Sequence, residues 1–255
     1  MKQDRAATLQ QIVATIQRRW GARALRILGA PASDPAIPVV SSGFAEIDTA
    51  LHIGGLPRGR LTELLGTPTS GMTTLALTIL AHAQAQGDLV AYIDLSRTFD
   101  AEYAALIGLD LAALLLVRPP NAADALELIH ALVASGGIGV LVVDSLAMFQ
   151  SLPRDARLLE QALRTLPGVL AVSPCVLLAL TSLPYSPEMT RALGFAGSLL
   201  AHTATIRLHI AREAWLPHAQ GLPGCTTCVS ILKHKLATMG GTAQVLIHFA
   251  NEVSP

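Results

Sequence analysis

The chain has 255 residues and balances eighteen basic against eighteen acidic side chains, which excludes a protein that coats polyanions by bulk charge. With 51% hydrophobic and only 14% charged residues, it is too apolar to be disordered and must bury a core of one large domain, or a compact core with a small appendage. The start carries no signal-peptide core, no apolar run is long enough to span a bilayer, and three cysteines make no secreted disulfide framework, so the expectation is a cytoplasmic protein with no membrane partner.

Residues 4–20 place Leu9, Ile12, Val13, Ile16 and Trp20 at helical spacing, with arginines and glutamines opposite, and predict an amphipathic helix. A short strand is expected over 24–28, and residues 29–38, with three prolines, read as a linker. Residues 1–33 therefore form a helix-strand segment of their own, ahead of a core over 38–255. From there helix and strand alternate. Helices are expected at 46–51, 73–86, 101–107, 122–134 and 154–166, and strands at 61–65, 89–94, 114–117, 140–144 and 175–181. Such alternation predicts an α/β fold with a mostly parallel sheet covered by helices. A loop to Gly197 is followed by three strands at 203–211, 227–233 and 243–249, separated by turn residues, which predict an antiparallel C-terminal end.

The strand at 61–65 runs into Gly66-Thr67-Pro68-Thr69-Ser70-Gly71-Met72-Thr73-Thr74, which opens a helix. This is the context of a phosphate loop, G-x-x-x-x-G-K-[ST], in which glycines let backbone N–H groups wrap phosphates at a positive helix end. Met72 stands where the lysine belongs. A thioether there forfeits a charged hydrogen bond of roughly 1.5–3 kcal/mol. Val140-Leu141-Val142-Val143-Asp144 supplies the second signature, four apolar residues ending in a carboxylate suited to a magnesium ion or its water.

These motifs, together with Ser41 to Asp48, Gly54 to Arg60, Tyr92-Ile93-Asp94, Asp100, Tyr103 and Lys233-His234-Lys235, make the chain resemble the core of bacterial RecA recombinases over almost its whole length. The resemblance implies a RecA-like P-loop NTPase core, with ATP and magnesium as cofactors. Gly66, Thr69, Ser70, Gly71, Met72, Thr73 and Thr74 would cradle phosphate, Thr73 and Asp144 would flank the metal, and Asp100 and Tyr103 would lie along the adenine. The N-terminal segment is similar to the family's polymerisation segment, which docks on a neighbouring protomer, while the family's C-terminal domain has no counterpart in these residues. Lys233 and Lys235 would reach a neighbour's γ-phosphate in trans; the bland alternative is two side chains two apart on a strand, facing solvent. The family's catalytic glutamate falls at Ser96 and its γ-phosphate-sensing glutamine at Ser182. Loss of lysine, base and sensor together, each worth on the order of 10² or more in rate, predicts an impaired ATPase.

The two loops that grip single-stranded DNA in the family are here short, at 150–154, or nearly uncharged, at 183–197, where Arg191 is the single basic residue and Phe195 an apolar wedge or a core side chain. The pair Cys225 and Cys228 would face opposite sides of a strand and is expected not to chelate zinc. The expected function is a RecA-like repair or recombination protein that binds nucleotide, hydrolyses it poorly, and assembles with itself or with an active RecA-type neighbour on single-stranded DNA. Three alternatives are a slow but active recombinase, a scaffold resembling ImuA of translesion synthesis, with a DNA polymerase as partner, to which residues 114–120 are weakly similar, and a purely structural oligomer that binds neither nucleotide nor DNA.

Overall fold

A computed structural model of the chain describes residues 2–21, 25, 37–146, 149, 152–183, 196–216, 224–238 and 240–248. The chain divides into two compact units, Met1–Ala36 and Ile37–Pro255. In the first, helix α1 (Lys2–Trp20) exposes Leu9, Ile12 and Trp20. The expected strand over 24–28 lies outside the described residues except for Leu25, whose carbonyl accepts from Gln17 Nε2 at 3.1 Å.

The second unit opens with strand β1 (Val39–Val40), helix α2 (Ala45–Ala50) and strand β2 (Leu56–Pro57), which pairs antiparallel with β1. There follow strand β3 (Arg60–Gly66), helix α3 (Met72–Ala85), strand β4 (Val90–Asp94), helix α4 (Ala101–Leu106), strand β5 (Leu114–Val117), helix α5 (Ala122–Ala134) and strand β6 (Val140–Asp144). Helix α6 (Pro153–Leu170), strand β7 (Val176–Ser182), helix α7 (Ala196–Thr203) and strands β8 (Ile206–Trp215), β9 (Gly224–His234) and β10 (Thr242–His248) complete the unit. Eight strands make one sheet in the order β10-β9-β8-β3-β7-β6-β4-β5. The pairs from β8 to β5 are parallel, whereas β8 with β9 and β9 with β10 are antiparallel. The fold is thus α/β, with a mostly parallel sheet and antiparallel strands at its C-terminal end.

Side-chain alternation explains why the central strands read as continuous apolar runs. On β6, Val140 and Val142 join the core under α3, while Leu141 and Val143 join the one under α5, α6 and α7. Residues on β7 split the same way, Val176, Leu178 and Leu180 against Leu177 and Ala179. Buried on both faces, these strands are built mainly of apolar side chains. One exception is Glu63 in the middle of β3, fully buried, which accepts from Thr181 Oγ1 on β7 at 2.9 Å and pairs with Arg207 Nε on β8.

Several elements differ from expectation. Helix α6 continues past Pro167 to Leu170, because Leu163, Leu166 and Leu170 extend the buried stripe while Pro167 lies exposed, so packing outweighs one missing N–H. Residues 203–205 do not begin a strand: Thr203 ends α7, and β8 starts at Ile206 and runs on to Trp215. Strand β9 begins at Gly224 rather than 227, extended by its ladder to β10. Among the described residues no helix is long and apolar enough to cross a membrane.

Candidate functional site

Parallel strands bring their carboxyl ends to one edge of the sheet, the usual place for a ligand in such folds. Gly66 ends β3, Ser182 ends β7, Asp144 ends β6 and Asp94 ends β4, with Gly66 opposite Ser182 and Asp94 opposite Asp144 in register. Between β3 and α3 the loop turns through two left-handed residues, Thr69 at φ 65° and Gly71 at φ 93°. Glycine is required at both ends of that turn. A Cβ on Gly66 would lie 2.3 Å from Ser70 Oγ and 2.9 Å from the Ile210 carbonyl, and one on Gly71 would lie 2.7 Å from Ile247 Cδ1. Helix α3 starts at Met72 with no side-chain cap, which leaves its first turn of N–H groups facing the loop's concavity.

Met72 is 7% exposed and belongs to the core under α3, so the side chain at the lysine position packs inward. Thr73 is exposed and Thr74 buried, its Oγ1 2.7 Å from Tyr103 Oη. Burial raises the Tyr103 pKa, with the Thr74 hydrogen bond opposing. Asp100 caps α4 by accepting from the Tyr103 amide at 2.9 Å, which holds the two expected adenine residues together. Ser70, 2% exposed, has an Oγ with no partner among the described residues.

The acidic side of the edge is densely bonded. Asp144 Oδ2 accepts the Tyr92 hydroxyl at 2.5 Å, and Tyr92, 1% exposed, packs edge-on against Phe99 at 4.9 Å. Burial pushes the Asp144 pKa up, the Tyr92 hydrogen bond opposes this, and the Asp94 charge adds to it. Burial likewise raises the Tyr92 phenol, which therefore stays a donor. Asp94 accepts from the amides of Thr98 at 3.0 Å and Phe99 at 3.3 Å and from Arg118 Nε at 2.9 Å. Ser96, where the glutamate was expected, is exposed and shares a 2.7 Å hydrogen bond with Thr98 Oγ1.

Lys233 and Lys235 stand apart from this edge. In register, Lys233 opposes Arg207, which opposes Glu63, three residues before Gly66 and so about 10 Å back along the strand. Their ammoniums donate to the last carbonyls of α7, Lys233 to Ala201 and His202 and Lys235 to His202 and Thr203. Burial first, and then the Lys235 charge, lower the Lys233 pKa to about 8. Lys233 is half-buried and Lys235 exposed. Arg191 and Phe195 lie outside the described residues. Cys225 is buried and Cys228 half-buried on alternate faces of β9, and no metal-holding cluster of His, Cys, Asp or Glu occurs among the described residues.

Sequence reasoning passed over three contributors. Tyr92 and Arg118 reach their carboxylates across neighbouring strands. Arg212, at the end of β8, donates from Nη1 to the Thr69 carbonyl of the loop at 2.8 Å and stacks over Trp215 at 4.1 Å. Among the described residues it has no acidic partner, so it leaves a net positive charge against the loop. The adjacency of β3 and β8 that brings it there is not visible in local patterning.

A family model described as the RecA N-terminal domain matches residues 7–254. Protein RecA of Chloroherpeton thalassium is 33% identical, over 100% of this chain and 75% of its own length. The Allorhizobium ampelinum protein of the same name is 36% identical, over 92% of this chain and 69% of its own, and that of Roseiflexus sp. 37%, over 92% and 70%.

Proposed function

The chain belongs to the RecA family, and on that premise we propose that it acts in DNA recombination or repair as an accessory subunit that holds an adenine nucleotide without turning it over. The observation that carries this reading is a strand-to-helix loop that turns through left-handed Thr69 and Gly71 and has no room for a Cβ at Gly66 or Gly71, while its lysine position is a core methionine. Thr69, Ser70, Gly71, Thr73 and Thr74 would cradle phosphate through backbone and hydroxyl groups. Asp100 and Tyr103 would bound the adenine. At the edge where a base would have to activate water, Ser96 offers only a hydroxyl.

Assembly with itself or with a RecA-type neighbour is the second half of the proposal. It is supported by the exposed apolar side chains of α1 and by β5, an edge strand that exposes Leu115 at 48% and Leu116 at 38%. Exposed apolar edges of this kind recruit another strand. A trans role for Lys233 and Lys235 would require them to leave the α7 carbonyls for a neighbour's phosphate. Single-stranded DNA would be held by many weak contacts summed along an assembly.

Sedimentation of the chain, alone and mixed with an active RecA, on single-stranded DNA with ATP tests the proposal when read together with phosphate release. The reading expects co-assembly without added phosphate release. DNA-stimulated turnover by the chain alone would favour an active recombinase. Absence of DNA and RecA association, with capture of a polymerase instead, would favour the scaffold, a reading to which the inward-packed Met72 also lends weight.

A further inference from the structure

Met72 takes a cation away from the loop, and the sheet brings one back from another strand. The thioether is 7% exposed in the core under α3, and residues 66–74 include no charged side chain, so the concavity has only backbone N–H and hydroxyl donors of its own. Strand β8 lies beside β3 with Ile210 opposite Gly66, and Leu208 and Ile210 both join that core. Arg212 repeats their direction two residues on. It therefore leaves β8 beyond the last residue of β3, on the side where the chain climbs into α3, and its Nη1 reaches the Thr69 carbonyl at 2.8 Å.

This contact pins the loop at its turn. Thr69 holds a left-handed φ of 65°, a conformation that a β-branched residue adopts only under constraint. The peptide that follows it is fixed at both ends, its carbonyl by Arg212 and its amide, that of Ser70, by the Thr67 carbonyl at 3.1 Å. The guanidinium is itself held over the Trp215 ring at 4.1 Å, so it is in place before a ligand arrives.

No acid competes for it among the described residues. Across the sheet Arg212 faces the neutral Thr227, and the adjacent Glu213 carboxylate accepts from Gln244 Nε2 at 3.1 Å. The ion pairs of the described residues involve Arg58, Arg118 and Arg207, while Lys233 and Lys235 are engaged by the α7 carbonyls. Arg212 is thus a half-buried, uncompensated charge set against the turn whose amides would face phosphate, and a partly buried charge is screened less than an exposed one.

We propose that Arg212 stands in for the missing lysine: from outside the turn it fixes the Thr69 peptide and gives the phosphate loop its positive charge. The inference rests on the nucleotide reading and extends it to the ligand group the site recognises, a polyphosphate chain held by oriented amides and by a guanidinium that acts through the Thr69 peptide. Arg212 is a positioning residue whose charge counts as well as its hydrogen bond.

Calorimetric titration of ATP into the full chain in excess magnesium tests this with wild type, Arg212→Lys, Arg212→Gln, Met72→Lys and the double variant Met72→Lys with Arg212→Gln. Arg212→Gln keeps a donor for the carbonyl and removes the charge, and is expected to weaken ATP binding about tenfold, whereas Arg212→Lys loses about threefold or less. In the Met72→Lys background the same Arg212→Gln change is expected to cost about threefold or less, because the loop again has a cation of its own. A mere structural strut would instead lose as much affinity in both backgrounds and would lower the ligand-free Tm, which is expected to stay at the wild-type value. Unchanged ATP affinity in Arg212→Gln, or a loss as large in the Met72→Lys background as in wild type, overturns the inference and leaves the nucleotide reading intact. Should Arg212→Gln fail to fold, Arg212→Lys decides: affinity within about threefold of wild type supports the charge, and a tenfold or greater loss overturns it. A wild type that binds no ATP overturns the nucleotide reading itself, and the inference with it.

Discussion

Met72→Lys restores the residue the loop pattern calls for, and the structure determines what it costs and what it gains. Met72 is 7% exposed within the core under α3, so an ammonium cannot stay where the thioether lies and must turn out toward the loop. Losing that methionine from the core costs about 1.5–3 kcal/mol, and a cation at the N-terminus of α3 adds about 0.3–1 kcal/mol of repulsion from the helix dipole. The free variant is therefore expected to be less stable than wild type by about 2–4 kcal/mol. Bound phosphate reverses the balance, since a charged hydrogen bond of about 1.5–3 kcal/mol corresponds to roughly 10- to 150-fold tighter binding. Thermal unfolding with and without ATP, alongside calorimetric titration, reads both effects: a lowered Tm without ligand, a larger upward shift with it, and a lower Kd. Phosphate release is expected to stay near wild type, because position 96 still carries a serine tied to Thr98. A folded variant with unchanged ATP affinity would refute the loop as the phosphate site, and brisk turnover would refute the argument from the missing base.

Three further outcomes follow from named contacts. Arg212→Ala removes the guanidinium from the Thr69 carbonyl and is expected to weaken ATP binding about 10-fold by calorimetry while Arg212→Lys retains part of it. Arg207→Met leaves Glu63 as a buried carboxylate facing only Thr181 and is expected to cost about 3 kcal/mol in urea unfolding, much of it recovered in the double variant with Glu63→Gln. His234, 5% exposed, accepts the Leu236 and Ala237 amides on Nδ1 at 3.1 and 2.9 Å, and burial, its largest influence, lowers its pKa. The unfolded chain therefore binds the proton more readily, so stability should fall as the pH drops below about 6.5 toward the folded value. His234→Asn, which keeps an acceptor without the titration, should flatten that fall in urea midpoints compared at pH above and below this window.

Local patterning carried the architecture because each central strand is buried on both faces. Val140 to Asp144 reads as a strand whichever neighbours it has, and Gly66 to Thr74 reads as a strand-to-helix turn because only glycine fits at its ends. Helix α7 was not legible, since the stretch from Ala196 to Thr203 is too short to establish a helical period and its last residues resemble the strand that follows. The site was legible in its loop and less so in its chemistry. Tyr92 and Asp144 are 52 residues apart, Arg118 follows β5 while Asp94 ends β4, and Lys233 and Lys235 find their acceptors on α7. Which donor meets which acceptor is decided by strand order and register, and these depend on the whole sheet.

On the proposed reading, the pocket keeps the shape to hold a nucleotide and has lost the groups that cleave it. The most direct measurement is to incubate the wild-type chain with labelled ATP and single-stranded DNA, isolate the complex, denature it and identify the nucleotide. About one intact ATP per chain is expected, with no accumulation of free phosphate. Recovery of ADP, with phosphate building up over many cycles, would contradict it.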